Sequence, residues 1–272
     1  TGIQPPEQGA TKGKTPLDTS LLKQLFYDQA NILHEDCSSS STDAEFCYDA
    51  VNHAACSIAM QAMGVPISMV RCYLTSVQNM QYFLQTGFGL SDRSYGGTAD
   101  SICMGLTQGS GASPGAWSAT STVIVGAYKR QGYGATLHAG WSGNDVNLAA
   151  LLYVDDTDLL HSSATRGLPL SDLVARVQHA INCWANLLQA TGGSLKSNKC
   201  YWYLLSYKFV NRIAIPRHKN ELTVQEVTIP QPTTQPLPIQ LLDSSTPSKV
   251  LGVWTAPVDD GSAMMTHMIS KG

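Results

Sequence analysis

Two apolar, strand-length runs separated by adjacent carboxylates dominate the middle of the chain: Leu148 to Val154, then Asp155-Asp156, then Thr157 to His161. Runs of this length joined by so short a polar break read as a β-hairpin with both acids at its tip. Neighbouring carboxylates directly after a buried strand repel each other, and a hard cation such as Mg²⁺, which prefers oxygen ligands, relieves that repulsion. A surface turn explains the same string taken alone, so weight falls on what else lies along the chain. Far upstream, Asp43 sits in Ser41-Thr-Asp-Ala-Glu-Phe-Cys-Tyr-Asp-Ala-Val-Asn-His53, where an acid at a strand end can join the pair. Between them, Gly105-Leu-Thr-Gln-Gly-Ser-Gly-Ala-Ser-Pro114 is rich in glycines that let a backbone approach a ligand closely.

Thr15-Pro16-Leu17-Asp18 has the cap, first-turn proline and third-position acid of a helix start. Leu17, Leu21, Leu25 and Ile32 then recur on one face of a helix reaching about His34. Ser38 to Ser41 reads as a polar loop and Thr42 to Tyr48 as a short strand. Helices are expected over Asn52 to Met63, Pro66 to Gln81, Ala116 to Arg130 and Leu170 to Ala190, with hairpins within Phe83 to Met104. Strands follow at about Tyr201 to Tyr207, Phe209 to Ile215 and Lys249 to Trp254. The five prolines between Val224 and Pro247 make that stretch an extended loop, and the last residues begin a helix. This order predicts an α+β layer, an antiparallel sheet with helices packed on one face.

At 14% charged residues the chain is too sparsely charged for disorder driven by charge excess. No apolar run approaches the roughly 20 residues of a membrane span, and TGIQPPEQGA has no hydrophobic signal core. No membrane partner and an intracellular setting are therefore expected. The seven cysteines are an odd number without a C-x-x-C pair, which disfavours zinc ribbons and disulfide scaffolds and fits reduced thiols. The net charge of −3 opposes a generally basic nucleic-acid binder. Charge is segregated, however: Leu173 to Asn220 holds no carboxylate, while Arg176, Lys196, Lys199, Lys208, Arg212, Arg217 and Lys219 alternate with Tyr201, Trp202, Tyr203, Tyr207 and Phe209. Such a strip suits a nucleic-acid backbone and stacked bases, and a hairpin with a solvated basic face fits equally well.

Taken in order, these segments resemble the palm of a reverse transcriptase of the retrotransposon kind. Asp43, Tyr48, Asp49 and Val51-Asn52-His53 match the first palm motif. Leu106, Gln108, Gly109, Ser113 and Pro114 match the second, L-x-Q-G-x-x-x-S-P, and Tyr153 to Asp156 match the third, Y-x-D-D. Gly193 to Cys200 is similar to the fourth motif and Val250-Leu-Gly-Val-Trp254 to the fifth, while Gln8 to Asp18 resembles the segment before the first.

The resemblance implies a right-hand polymerase palm with partial fingers and an absent or truncated thumb. Residues 1–40 would be partial fingers and a lead-in helix, 41–220 the palm with a fingers-side insertion at about 64–105, and 221–272 the proline-rich loop, a primer-grip-like strand and the start of a thumb connection. It also implies template-directed DNA synthesis from deoxynucleotides on an RNA template and DNA primer. Asp43 and Asp155 would bridge two Mg²⁺ ions, replaceable by Mn²⁺, with Asp156 supporting the site and the Ala44 carbonyl a further ligand. Tyr48 would exclude a 2′-hydroxyl; Gln108, Gly109 and Tyr153 would touch substrate; Lys199 would donate a proton to pyrophosphate, with Lys196 its rival. Lys196, Lys208, Arg212, Leu251 and Gly252 would hold nucleic acid, the last two on a strand gripping the primer end. His53 and His161 read as structural histidines. A catalytically silent nucleic-acid-binding domain is the alternative of a different class. An RNA-dependent RNA polymerase is opposed by Val154 before Asp155 and by the bulk of Tyr48.

Overall fold

The structure is a computed structural model that describes residues 5–45, 47–98, 103–107, 109–138, 143–163, 169–231, 235–258 and 261–271. Two compact units emerge. The first comprises Thr1–Ala44, Val125–Leu187 and Leu195–Gly272, the second Glu45–Ile124 and Leu188–Ser194. No described helix is long and apolar enough to cross a membrane.

The chain opens with helix α1 (Pro16–Leu33) and strand β1 (Cys37–Glu45). Helices α2 (His53–Ala62) and α3 (Ile67–Gln78), the hairpin β2 (Tyr82–Thr86) with β3 (Gly89–Tyr95), and helix α4 (Ser113–Arg130) follow. Next come β4 (Ala135–Leu137), β5 (Val146–Leu148), β6 (Ala150–Tyr153), β7 (Asp156–Ser162), α5 (Leu170–Ala190) and β8 (Ser194–Leu195). The remainder is β9 (Tyr201–Leu205), β10 (Tyr207–Val210), β11 (Ile213–Pro216), β12 (Thr228–Ile229), β13 (Leu237–Pro238), β14 (Gln240–Leu242), β15 (Ser248–Val250), β16 (Val253–Thr255) and α6 (Ser262–Lys271).

In the first unit the main sheet has the order β14-β9-β1-β7-β6, with β8 also on β1. The β1–β7, β1–β9 and β6–β7 pairs are antiparallel, and β14 runs parallel to β9 along the edge. The class is thus α+β, as expected. Ser38 to Ser41, expected as a loop, instead form the centre of the sheet, flanked by β7 and β9, with Ser38 to Ser40 buried. Serine disfavours strands locally because its hydroxyl competes for backbone groups; here pairing on both sides occupies that backbone. The small side chain also lets α1 come close, so that the Tyr27 hydroxyl and Ser39 Oγ lie 2.5 Å apart.

Helix α1 starts where its cap signals place it: Thr15 accepts from the Asp18 backbone N–H while the Asp18 carboxylate accepts from that of Thr15. Its apolar stripe is inverted. Leu17, Leu21, Leu25 and Ile32 are 64%, 54%, 47% and 76% exposed, and the buried face is Thr19, Ser20, Lys23, Phe26, Tyr27 and Ala30. Two aromatic rings and one paired lysine outweigh four aliphatic side chains, because Phe26 and Tyr27 fill the core cluster with Cys37, Leu151, Leu160 and Leu205.

Other expectations shift in detail. The run Lys249 to Trp254 is a hairpin, β15–β16, turning at Leu251-Gly252, which have φ of 51° and 88°. A two-residue turn with both φ positive matches strand twist, so this pair is turn and not strand. Asn211-Arg212, at 51° and 66°, turn β10 into β11 in the same way. The proline-rich stretch contributes β14 to the sheet. In the second unit, α2 is capped by Asn52, whose Oδ1 accepts from the Ala54 and Ala55 N–H groups. Gly192 lies at φ +99°, where a Cβ would meet the Ala50 carbonyl oxygen at 2.2 Å.

Candidate active site

The antiparallel register of β1 and β7 sets Asp43 directly opposite Asp156, and Asp156 is in turn opposite Tyr153 on β6. Val154 and Asp155 are therefore the two turn residues of the β6–β7 hairpin. Val154 has φ of 61°, a left-handed conformation that costs a β-branched residue on the order of 1–3 kcal/mol. Side chains two apart on a strand share a face, so Asp158 lies on the face of Asp156 and pairs with Ser41, two residues before Asp43. Together with Lys199, Tyr201, Lys249 and Val250 they line a cleft of about 200 Å³ in the first unit.

Lys199 Nζ donates to Asp43 Oδ2 at 3.0 Å, and the Lys196 backbone N–H donates to the Asp43 carbonyl at 3.0 Å. Partial desolvation, then the negative charges of Asp155, Asp158 and Asp43, push the Asp156 carboxyl up to about 6, against the lowering effect of Lys199. The Lys199 ammonium is held above its ordinary value by its bond to Asp43 and by the negative charges of Asp43, Asp155 and Asp156. The carboxylates thus outweigh the cations here. Among the described residues, no group of three or more His, Cys, Asp or Glu side chains is placed to hold a metal ion.

A carboxyl raised in the folded state stabilises the fold below the ordinary carboxylate range, and that contribution is lost as pH rises through about 6. Asp156 is exposed, so solvent screening reduces the effect to about 1 kcal/mol. Relative to Asp156→Asn, the metal-free protein is expected to lose stability between pH 4 and pH 7, read as the difference in denaturation midpoint. A pH-independent difference would contradict this.

The other expected site residues divide clearly. Tyr153 ends β6 beside the acids, and Ala44 follows Asp43 along β1, buried. Tyr48 and Gly109 lie in the second unit. The Tyr48 carbonyl accepts from the Leu106 N–H at 2.7 Å and its ring lies 6.3 Å from Trp117, while Gly109, at φ +94°, has open space around it. Gln108 lies outside the described residues. His53 is structural, with Nε2 2.6 Å from the Gly105 carbonyl oxygen and Nδ1 3.0 Å from Gln78 Nε2. His161 is fully buried, its protonated form suppressed to about 3 by desolvation.

The continuous basic–aromatic strip does not form. Trp202 and Tyr203 are core residues because β9 is buried on both faces, Tyr207 is buried at the start of β10, Lys208 pairs with Glu221, and Arg176 and Arg217 donate to the carbonyls of Gly132 and Tyr207. Arg212 sits at the exposed β10–β11 turn, and Leu251 and Gly252 at the β15–β16 turn. Sequence reading missed Asp158, Lys249 and Lys23, whose Nζ donates to Asp158 Oδ1 at 2.7 Å. Only the i, i+2 spacing of Asp156 and Asp158 signalled any of them.

Residues 3–255 match the family described as Reverse transcriptase (RNA-dependent DNA polymerase). Curated proteins yield no match. Among solved structures, apo telomerase from Candida tropicalis truncated from its C-terminal domain is 13% identical, covering 73% of this chain and 36% of that one, with a TM-score of 0.47. Telomerase from Candida tropicalis in complex with a TWJ fragment of telomeric RNA is 12% identical, covering 72% and 30%, with a TM-score of 0.49. The corresponding complex from Candida albicans is 10% identical, covering 71% and 31%, with a TM-score of 0.41. The chain spans about a third of the length of these solved chains.

Proposed function

Because this chain belongs to the reverse transcriptase (RNA-dependent DNA polymerase) family, we propose that it extends a DNA primer along an RNA template. The reaction is nucleotidyl transfer from a deoxynucleoside triphosphate to the primer 3′-hydroxyl. One observation carries this reading: Asp43 faces Asp156 across two paired strands, beside the Asp155 turn, in a cleft that also holds Lys199 and Lys249.

The donor set fits Mg²⁺, being hard carboxylate oxygens with excess negative charge, and Mn²⁺ accepts the same ligands. Asp43, Asp155 and Asp156 would hold the ions, with the Ala44 carbonyl adjoining. When bound, the ions supply Lewis-acid stabilisation of the attacking and leaving oxygens. The remaining work falls to protein groups. Lys199 carries a proton within reach of the acids and donates it to the departing pyrophosphate. Lys249 and Tyr201, on the cleft wall, face the phosphates. Tyr153 supports the hairpin beneath the primer end.

Tyr48 is assigned the exclusion of ribonucleotides by contact with the sugar. Tyr48→Val is expected to raise ribonucleotide incorporation relative to deoxynucleotide by about tenfold or more, the discrimination one steric contact supplies. Competition of the two nucleotides in a primer-extension assay measures it, and unchanged sugar selectivity would remove Tyr48 from the site.

The dispersal of the basic strip favours one rival, a silent nucleic-acid-binding domain. Primer extension on an RNA template, with this chain and with a longer one, separates the two. Synthesis dependent on Mg²⁺ supports the polymerase; hybrid binding without any Mg²⁺ response supports the silent domain.

A further inference from the structure

A charged pair lies beneath the cleft. Lys23, from the middle of α1, and Asp158, from β7, are 135 positions apart and 2.7 Å from each other, with side chains 1% and 6% exposed. A carboxylate this deep is costly without a partner, and an apolar pair of similar volume would hold the fold as well or better. Packing alone gives no reason for the charges. Geometry offers one: Asp158 lines the cleft on the face of Asp156, while Lys23 does not line it and sits behind Asp158 on the inner side of α1. The pair is a fixed dipole with its negative end towards the opening.

We propose that Asp158, aimed by Lys23, is a fourth acid of the cation site, acting on the hydration shell of a divalent ion held by Asp43, Asp155 and Asp156. Lys23 is then a positioning residue of that site. This rests on the polymerase reading above. Outer-shell partners of metal ligands change metal affinity by about 10–100-fold, which sets the scale of the test.

The probe is Mn²⁺, titrated into the full chain and followed by electron paramagnetic resonance, with melting curves to confirm folding. The double variant K23M/D158N removes both charges together and is expected to stay folded while binding Mn²⁺ about tenfold more weakly. In extension assays its apparent KM for Mg²⁺ rises more than its kcat falls. A folded double variant with unchanged Mn²⁺ affinity overturns the inference, leaving the pair as core structure. A second measurement needs no substitution. The ¹⁵N resonance of the Lys23 ammonium in the unaltered protein is expected to broaden on stoichiometric Mn²⁺, and an unaffected signal also overturns the inference. If the unaltered protein binds no Mn²⁺, the polymerase reading itself falls. If it binds Mn²⁺ and the double variant binds it equally well, only the role of Asp158 and Lys23 falls.

Discussion

Asp155→Asn is expected to abolish RNA-templated primer extension, by about a thousandfold or more, while leaving the melting temperature within a few degrees of the parent. The size follows from the several kcal/mol that a metal clamp contributes to the transition state, since each 1.36 kcal/mol is a factor of ten. The selectivity follows from position. Asp155 is an exposed turn residue, so an isosteric amide removes charge without opening a cavity. Its negative charge also raises the Asp156 carboxyl, so its loss relieves repulsion at the hairpin tip. Asp43→Asn is a less clean test because it also strips Lys199 of its partner. The assay is extension of a labelled primer on an RNA template at saturating Mg²⁺, beside a thermal melt. Substantial synthesis by a folded Asp155→Asn protein would discard the assignment of these acids.

The largest stability effect is expected from Lys23→Met alone. Removing one member of a buried ion pair leaves an uncompensated charge and costs about 3–5 kcal/mol. Little of Asp158 meets solvent: it lines the cleft, yet its side chain is 6% exposed and pairs with Lys23 on the buried face of α1. The burial and negative environment that push the Tyr27 hydroxyl well above its ordinary value reflect the same dry surroundings. Denaturant titration should show a fall in midpoint with little change in slope, and adding Asp158→Asn should restore most of the loss. A Lys23→Met protein as stable as the parent would mean that water in the cleft compensates Asp158 without Lys23.

Much of the candidate site was legible because its signals are local. The break in the apolar run at Asp155-Asp156 marked the hairpin tip, and the order of motifs placed Asp43 with it. Lys199, expected as a proton donor, does lie against Asp43, 156 positions away. The Leu251-Gly252 pair was misread as strand because the apolar residues around it mask a turn whose only strong marker is one glycine. Lys249, two positions earlier, was passed over for the same reason: a strand residue's direction depends on where its hairpin lies.

From the sequence by itself came the cap of α1, the span of α5, the acidic hairpin and the α+β class. These depend on energies between residues a few positions apart, such as Thr15 with Asp18, which are the same wherever the segment lies. Tertiary structure alone decided which face of α1 is buried, that four serines form the centre of a sheet, and that Lys23 meets Asp158. Each of those outcomes is set by strand order and helix placement, where burying Phe26 and Tyr27 and pairing β1 on both sides outweigh the local preferences of leucine and serine.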